Sequence, residues 1–246
     1  MLNVKQLILY YAIKYDGDWN KIFNATQSKE DVDTNDCIAT VSLVDQDSFI
    51  TFLDENYPTA IKTKCYRPPF ILFYKGDINL LKVKNALSLV GVRNPTSEAV
   101  DIAEKVLSDY DGLIVTGGSI GLEEVVYKTK CKPIVVLPNG LDKSEDLVNK
   151  VVAMGGLVIT EYPNGVEKKQ NTCVERCRII EAIADKTFAI EVPSRSGAII
   201  RCNFANEYGN DVIVCPKPSL EDGWENNNLI NDGATILVSK EDLRRE

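Results

Sequence analysis

Four short segments of this sequence combine glycine, hydroxyl and cationic residues in an order suited to holding a phosphate. In Gly91-Val92-Arg93-Asn94-Pro95-Thr96, a glycine permits a tight turn and a proline suits a first helical turn. An arginine between them, aimed at a helix mouth, grips a phosphate bidentately; an ordinary exposed arginine in a strand-to-helix turn is the plainer reading. In Thr116-Gly117-Gly118-Ser119-Ile120-Gly121, three glycines let backbone approach a phosphate or a sugar, or serve tight strand-to-helix packing. The segment fits neither G-x-G-x-x-G nor the P-loop, which ends in Gly-Lys-Ser/Thr. Lys168-Lys169 precede Arg176-Cys177-Arg178-Ile179-Ile180. Positive charge at a helix start opposes the macrodipole, so either a phosphate backbone or the neighbouring Glu175 and Glu181 must offset it. Finally, Ser196-Gly197 sits in Pro193-Ser194-Arg195-Ser196-Gly197-Ala198, another small-residue turn entering a helix.

Other chemistries are excluded by what is missing. The 246 residues contain no histidine, which removes Ser/His/Asp and Cys/His nucleophile activation and every histidine-ligated metal. Cys37, Cys65, Cys131, Cys173, Cys177, Cys202 and Cys215 are odd in number in a chain too long to need staples, and read as reduced, cytosolic and mostly buried. Cys173 and Cys177 lie one helical turn apart, but no second Cys-x-x-Cys completes a zinc site. No catalytic residue, metal or cofactor is expected. Glu123 and Glu124 read as acids of a first helical turn.

The elements that must carry these turns are legible as an alternation. Apolar runs at 71–74, 87–90, 113–115, 134–137, 157–159, 187–190, 212–214 and 236–238 read as buried strands. Helix-length segments of mixed polarity fall between most of them, at 95–108, 121–130, 143–154, 173–184 and 197–209. Such alternation predicts an α/β protein: a Rossmann-like, doubly wound, mostly parallel sheet with helices on both faces. Ligands of such sheets sit at the strands' carboxyl ends, where the four segments fall.

Residues 1–55, ending near a junction at Asn56-Tyr57-Pro58, read as a small acidic helical region preceding a Rossmann-like domain over 56–246. Four Lys face ten Asp/Glu in 1–55, and three Lys/Arg face seven Asp/Glu in 219–246, which together exceed the whole net charge of −8. Residues 56–95, by contrast, set Lys62, Lys64, Arg67, Lys75, Lys82, Lys84 and Arg93 against Asp77 alone. A local basic surface on an acidic molecule follows, or simply a solvated face. The sequence opens without a basic region leading into an apolar run and contains no stretch of about 18 apolar residues, so neither secretion nor membrane insertion is expected.

Taken in order, these segments resemble the DNA processing protein A family (DprA, also called Smf). Tyr57-Pro58, Pro68-Pro69 and Leu72-Phe73-Tyr74-Lys75-Gly76 match the family's opening motifs, and Gly91-Val92-Arg93 with Thr96 matches its Gly-Ser-Arg turn. Arg176-Cys177-Arg178-Ile179-Ile180 with Asp185 stands for Arg-Asn-Arg-Ile-Ile. Ser196-Gly197-Ala198 is followed by Asn203-Phe204-Ala205, Gly209, Val212 and Pro216, and Asn227-Asn228-Leu229-Ile230-Asn231-Asp232-Gly233-Ala234 is intact. The resemblance spans residues 57 to 238. It implies a cytoplasmic protein that binds and protects incoming single-stranded DNA, contacts a RecA-type recombinase and helps load it during natural transformation, as a homodimer. Implied strand contacts are Gly91, Arg93, Thr96, Thr116, Gly117, Gly118, Ser119, Gly121, Lys168, Lys169, Arg176, Arg178, Ser196 and Gly197.

The sequence also departs from the family pattern. Ser-Gly-x-Ala-x-Gly-Ile-Asp-x-x-Ala-His becomes Thr116-Gly117-Gly118-Ser119-Ile120-Gly121-Leu122-Glu123-Glu124-Val125-Val126-Tyr127; Cys177 replaces Asn, Arg201 replaces Thr, and Lys217 replaces Gly. No winged helix is expected after Val238, which makes this a divergent, minimal member. The altered loop also looks like the Pro-Gly-Gly-x-Gly-Thr-x-x-Glu loop of LOG-type phosphoribohydrolases, where a Glu faces the glycosidic bond; here the proline is absent and Leu122 replaces the Thr. Hydrolysis of a nucleoside monophosphate is the alternative reading.

Overall fold

The computed structural model describes residues 3–45, 48–217 and 223–243. All eight expected strands form, joined by one more, in a nine-stranded sheet of order β1-β2-β6-β5-β4-β3-β7-β8-β9. The strands are β1 (Phe49–Thr51), β2 (Ile71–Gly76), β3 (Ala86–Val90), β4 (Leu113–Thr116), β5 (Lys132–Val136), β6 (Leu157–Thr160), β7 (Lys186–Ala189), β8 (Asp211–Val214) and β9 (Thr235–Ile236). From β6 to β9 every pairing is parallel, whereas β2 pairs antiparallel with both β6 and β1. The chain winds outward from β3 through β4 and β5 to β6, then returns to lay β7 on the other side of β3. The point where strand order reverses therefore lies between β3 and β7, and the crevice above it is where an open α/β sheet takes its ligand.

The nine α-helices among the described residues are α1 (Val4–Lys14), α2 (Trp19–Ser28), α3 (Thr34–Val41), α4 (Thr59–Lys64), α5 (Ser97–Leu107), α6 (Glu145–Ala153), α7 (Gln170–Ile183), α8 (Gly197–Glu207) and α9 (Asn226–Asn231). Period-two alternation sorts them onto the two faces. Leu87, Leu89 and Ile114 pack on α5 through Ala103 and Leu107, and Val135 and Val158 pack on α6 through Val148 and Val151. Val115, Ile134 and Ile159 face Ile179 and Ile180 of α7, while Val90 and Ala189 face Ala198 and Cys202 of α8. No helix among the described residues is long and apolar enough to cross a membrane.

Three expectations need correction. The segment 121–130 forms a 3-10 helix, Leu122–Lys128, rather than an α-helix. At the far edge only Thr235 and Ile236 pair, leaving Val238 85% exposed. The N-terminal region is not purely helical: Phe49–Thr51 is a strand paired with β2, and Leu9, Ala12, Ile22 and Cys37 of α1–α3 share a core with Phe49, Ile71 and Phe73. A strand of three residues is too short for its period to stand out from flanking helices.

Two hydroxyls interrupt the apolar face of the sheet at the reversal point, Ser88 on β3 and its register partner Thr187 on β7, both fully buried. They serve a charge. Glu181 of α7, wholly buried, accepts hydrogen bonds from Ser88 Oγ and Thr187 Oγ1, each at 2.6 Å, and from Arg201 Nε of α8 at 2.8 Å. Arg201 also donates through Nη1 to Glu123 Oε1 at 2.5 Å and to Leu89 O at 2.9 Å, and through Nη2 to Ser88 Oγ at 2.5 Å. One guanidinium thus ties β3, α7, α8 and the 3-10 helix together, and Glu181 adds β7 through Thr187. Buried carboxylates stripped of their cation are strongly destabilising. Arg201→Met is accordingly expected to cost about 3–5 kcal/mol, read as a lower denaturant midpoint; a midpoint equal to the parent's would show the network to be dispensable.

Candidate nucleic-acid interface

Above the reversal point the turns that follow β3, β4 and β7 line an open groove of about 600 Å³, floored in part by α7 and α8. It runs into a smaller cleft of about 260 Å³ between the glycine loop and the segment after β5, the two sharing Arg93, Gly117, Ser119, Ile120, Cys173 and Arg176. Of the residues expected to bind phosphate, Gly91, Arg93, Gly117, Gly118, Ser119, Lys168, Arg176, Ser196 and Gly197 line one or both.

The glycines fit the two turns to each other as much as to any ligand. Gly121 has φ +93°, and a Cβ there would lie 2.5 Å from the Val92 carbonyl and also strike that of Arg93. Leu122 N–H donates to that Val92 carbonyl at 3.1 Å, and a Cβ on Gly91 would meet the Leu122 side chain. Gly117 makes room for an arginine: a Cβ would lie 2.7 Å from Arg176 Cζ. Arg176 donates through Nη1 to the Gly117 carbonyl and through Nη2 to Ser119 Oγ at 2.9 Å, so it clamps the loop from α7 while lining the groove. Glu123 completes the loop's support by accepting from Ser119 N–H at 2.7 Å. Glu123 is therefore no simple first-turn acid but a buried partner of Arg201. Glu124 does cap the turn, accepting from Gly121 N–H at 2.8 Å, and it lines a separate cleft with Pro95 and Tyr127.

Three hydroxyls expected to meet phosphate are occupied. Thr116 is wholly buried and accepts from Gly118 N–H. Thr96 N-caps α5, accepting from Ala99 N–H while donating to Glu191 Oε1 at 2.8 Å. Ser196 N-caps α8 and donates to the Pro193 carbonyl at 2.6 Å.

The cations divide sharply. Arg93 is exposed, and among the described residues neither Arg93 nor Lys168 has a carboxylate within 4.0 Å. Arg178 corrects the expectation that it shares their surface. It is 2% exposed and lies 2.6 Å from Glu161 Oε2, with Glu175 at 3.4 Å. Residues two apart on an α-helix point about 200° apart, so Arg176 and Arg178 cannot face the same way. Lys169 likewise lines a different cleft, with Trp19 and Arg67.

Two groove residues were not singled out from sequence. Arg195, exposed and held at φ +57°, lines the groove and has no carboxylate within 4.0 Å among the described residues. Trp224 reaches the groove through a bridge to Pro193, with Lys217 Nζ 4.8 Å from its ring centroid. Arg195 lay inside a quoted turn; Trp224 arrives by a long-range pairing with no local signal. Of the seven cysteines, all free, six are buried; burial pushes the Cys177 thiol up to about 11, while half-buried Cys173 faces the groove.

A family model described as DNA recombination-mediator protein A matches residues 48–246. The chain is 30% identical over 208 residues to the DNA processing protein DprA of Streptococcus pneumoniae, covering 80% of this chain and 73% of that protein. With protein Smf of Synechocystis it shares 28% over 211 residues, 79% of this chain but about half (52%) of the relative's length. The solved structure of S. pneumoniae DprA superposes with a TM-score of 0.72 at 24% identity, covering 97% of this chain and 92% of that one. DprA of Helicobacter pylori, whose structure concerns that protein's single-stranded DNA binding mode, gives 0.70 at 23% identity over 79% of this chain and 93% of that one. The two structures establish a shared fold.

Gly121→Ala tests the meeting of the two turns. Left-handed backbone on a residue with a Cβ costs about 1–3 kcal/mol, and here the added carbon also meets two carbonyls. The variant is expected to melt below the parent, and more so than Gly197→Ala, where a Cβ meets nothing within 4 Å; equal losses would refute the packing role.

Proposed function

The chain belongs to the DNA recombination-mediator protein A family, and from that premise we propose that it binds single-stranded DNA along the groove at the sheet's reversal point. The observation that carries this reading is a set of cations with no carboxylate within 4.0 Å among the described residues: Arg93 and Arg195 in the groove and Lys168 in the cleft it runs into, where Glu167 is paired with Lys143, on a molecule whose net charge is −8. Free cations gathered on one crevice of an acidic protein are suited to neutralising a phosphate chain. Trp224 offers a ring for base stacking beside them. In this reading Arg176 and Ser119 shape the loop, while Arg93, Arg195 and Lys168 meet the strand.

The family's description as a recombination mediator supports the further proposal that the bound strand is protected and passed to a RecA-type recombinase during natural transformation, in the cytoplasm and by a homodimer. Hydrolysis of a nucleoside monophosphate is the weaker reading. Glu123, the one glutamate among the described residues that lines the groove, is held by Arg201 at 2.5 Å, and Glu124 lines a different cleft.

Band shifts with single-stranded oligonucleotides should show affinity falling with salt at a log–log slope of about −0.7 per phosphate contacted. Arg93→Ala should weaken binding to every sequence alike, because phosphate contacts position without specifying, and should leave stability unchanged. Bound DNA should also slow alkylation of Cys173. Salt-independent binding, or full affinity in Arg93→Ala, would move the strand elsewhere.

A further inference from the structure

The basic excess over 56–95 is only partly used by the groove, which takes Arg93 and leaves Arg67 in another cleft that Lys169, in the loop before α7, also lines. That loop joins the two regions. Lys168 and Lys169 of that loop and Gln170, the first residue of α7, line three different clefts in turn: the small cleft beside the glycine loop, a cleft of about 200 Å³ against the N-terminal helices, and the groove.

Arg67 lines the middle cleft, its Cζ 5.4 Å from the ring centroids of both Trp19 and Tyr66. Trp19 is itself fixed: its Nε1–H donates to the Pro68 carbonyl at 2.9 Å, and its ring packs on Phe23 and Phe70 at 5.1 and 5.3 Å. Tyr66 is 69% exposed. Among the described residues the Arg67 guanidinium makes no hydrogen bond and has no carboxylate within 4.0 Å. Three of the four acids lining the cleft are paired with its other cations, Asp18 with Lys21 and Glu161 and Glu175 with Arg178, and none of the four lies within 4.0 Å of Arg67. An arginine pinned by rings, with its donors unspent, is preorganised for an anion. An exposed ring beside it suits an unpaired base.

Resting on the single-strand reading above, we propose that a bound strand continues past the groove, over Lys168 and Lys169, to a second contact where Arg67 takes a backbone phosphate and Tyr66 stacks a base. The acidic N-terminal region thereby contributes Trp19 to a nucleic-acid surface.

The protein's two tryptophans separate this proposal from its premise, since Trp224 lies in the groove and Trp19 beside Arg67. With Trp224→Phe as background, a strand of about 16 nucleotides should change Trp19 emission and one of about 4 should not; with Trp19→Phe, both should change Trp224 emission. Arg67→Met keeps a long side chain between the rings and removes the charge. It should weaken binding of the longer strand about fivefold or more and lower its salt slope by about 0.7, with little effect on the shorter one. Silent Trp19 and unchanged long-strand affinity, with Trp224 still responding, would overturn the second contact alone. No response from either tryptophan would remove the groove reading and the extension together.

Discussion

A guanidinium with almost no access to water governs this architecture. Arg201 sits where the strand order reverses, the one place where a doubly wound sheet opens a crevice, and its donors go to Glu181, Glu123, Ser88 and the Leu89 carbonyl. Placing such charges in a low-dielectric interior is tolerable only when every lone pair and proton finds a partner. The two strand hydroxyls exist for that purpose. The satisfied network in turn fixes Glu123, which holds the Ser119 amide, and so sets the shape of the loop flooring the groove. Surface chemistry at the crevice is thus controlled from beneath.

The crevice shows a division of labour among residues that look alike in sequence. Glycines at 91, 117 and 121 let two turns and an arginine occupy nearly the same space. Hydroxyls at 96 and 196 cap the starts of helices, and Arg176 braces a loop. What remains for a ligand is a small set of long side chains that the scaffold leaves unpaired. A polyanion sliding through an open groove is well served by such a set, because it demands charge and access more than a tight enclosing pocket.

Much of the fold was legible because strands covered on both faces are continuous apolar runs: six runs became the buried strands β3 to β8, a seventh became the antiparallel β2, and the last pairs only at Ile236. The missed strand Phe49–Thr51 was too short to show a period. For the site, the turns were located correctly while side-chain direction was not. Arg176 and Arg178 differ by about 200° around α7, a distinction available from spacing alone once the helix is assigned. Lys168 and Lys169 part at a loop whose path only the tertiary structure sets. Trp224 needed the pairing with Pro193, and Arg201 gave no sign of burial, since a lone arginine in a helix ordinarily reads as solvated.

Two of the departures from the resembled motif, Glu123 where Asp is usual and Arg201 where Thr is usual, touch each other at 2.5 Å. Within this chain the two side chains fit only as a couple: shortening Glu123 to Asp would draw its carboxylate back from Arg201, and removing Arg201 would leave Glu123 and Glu181 buried without a cation between them.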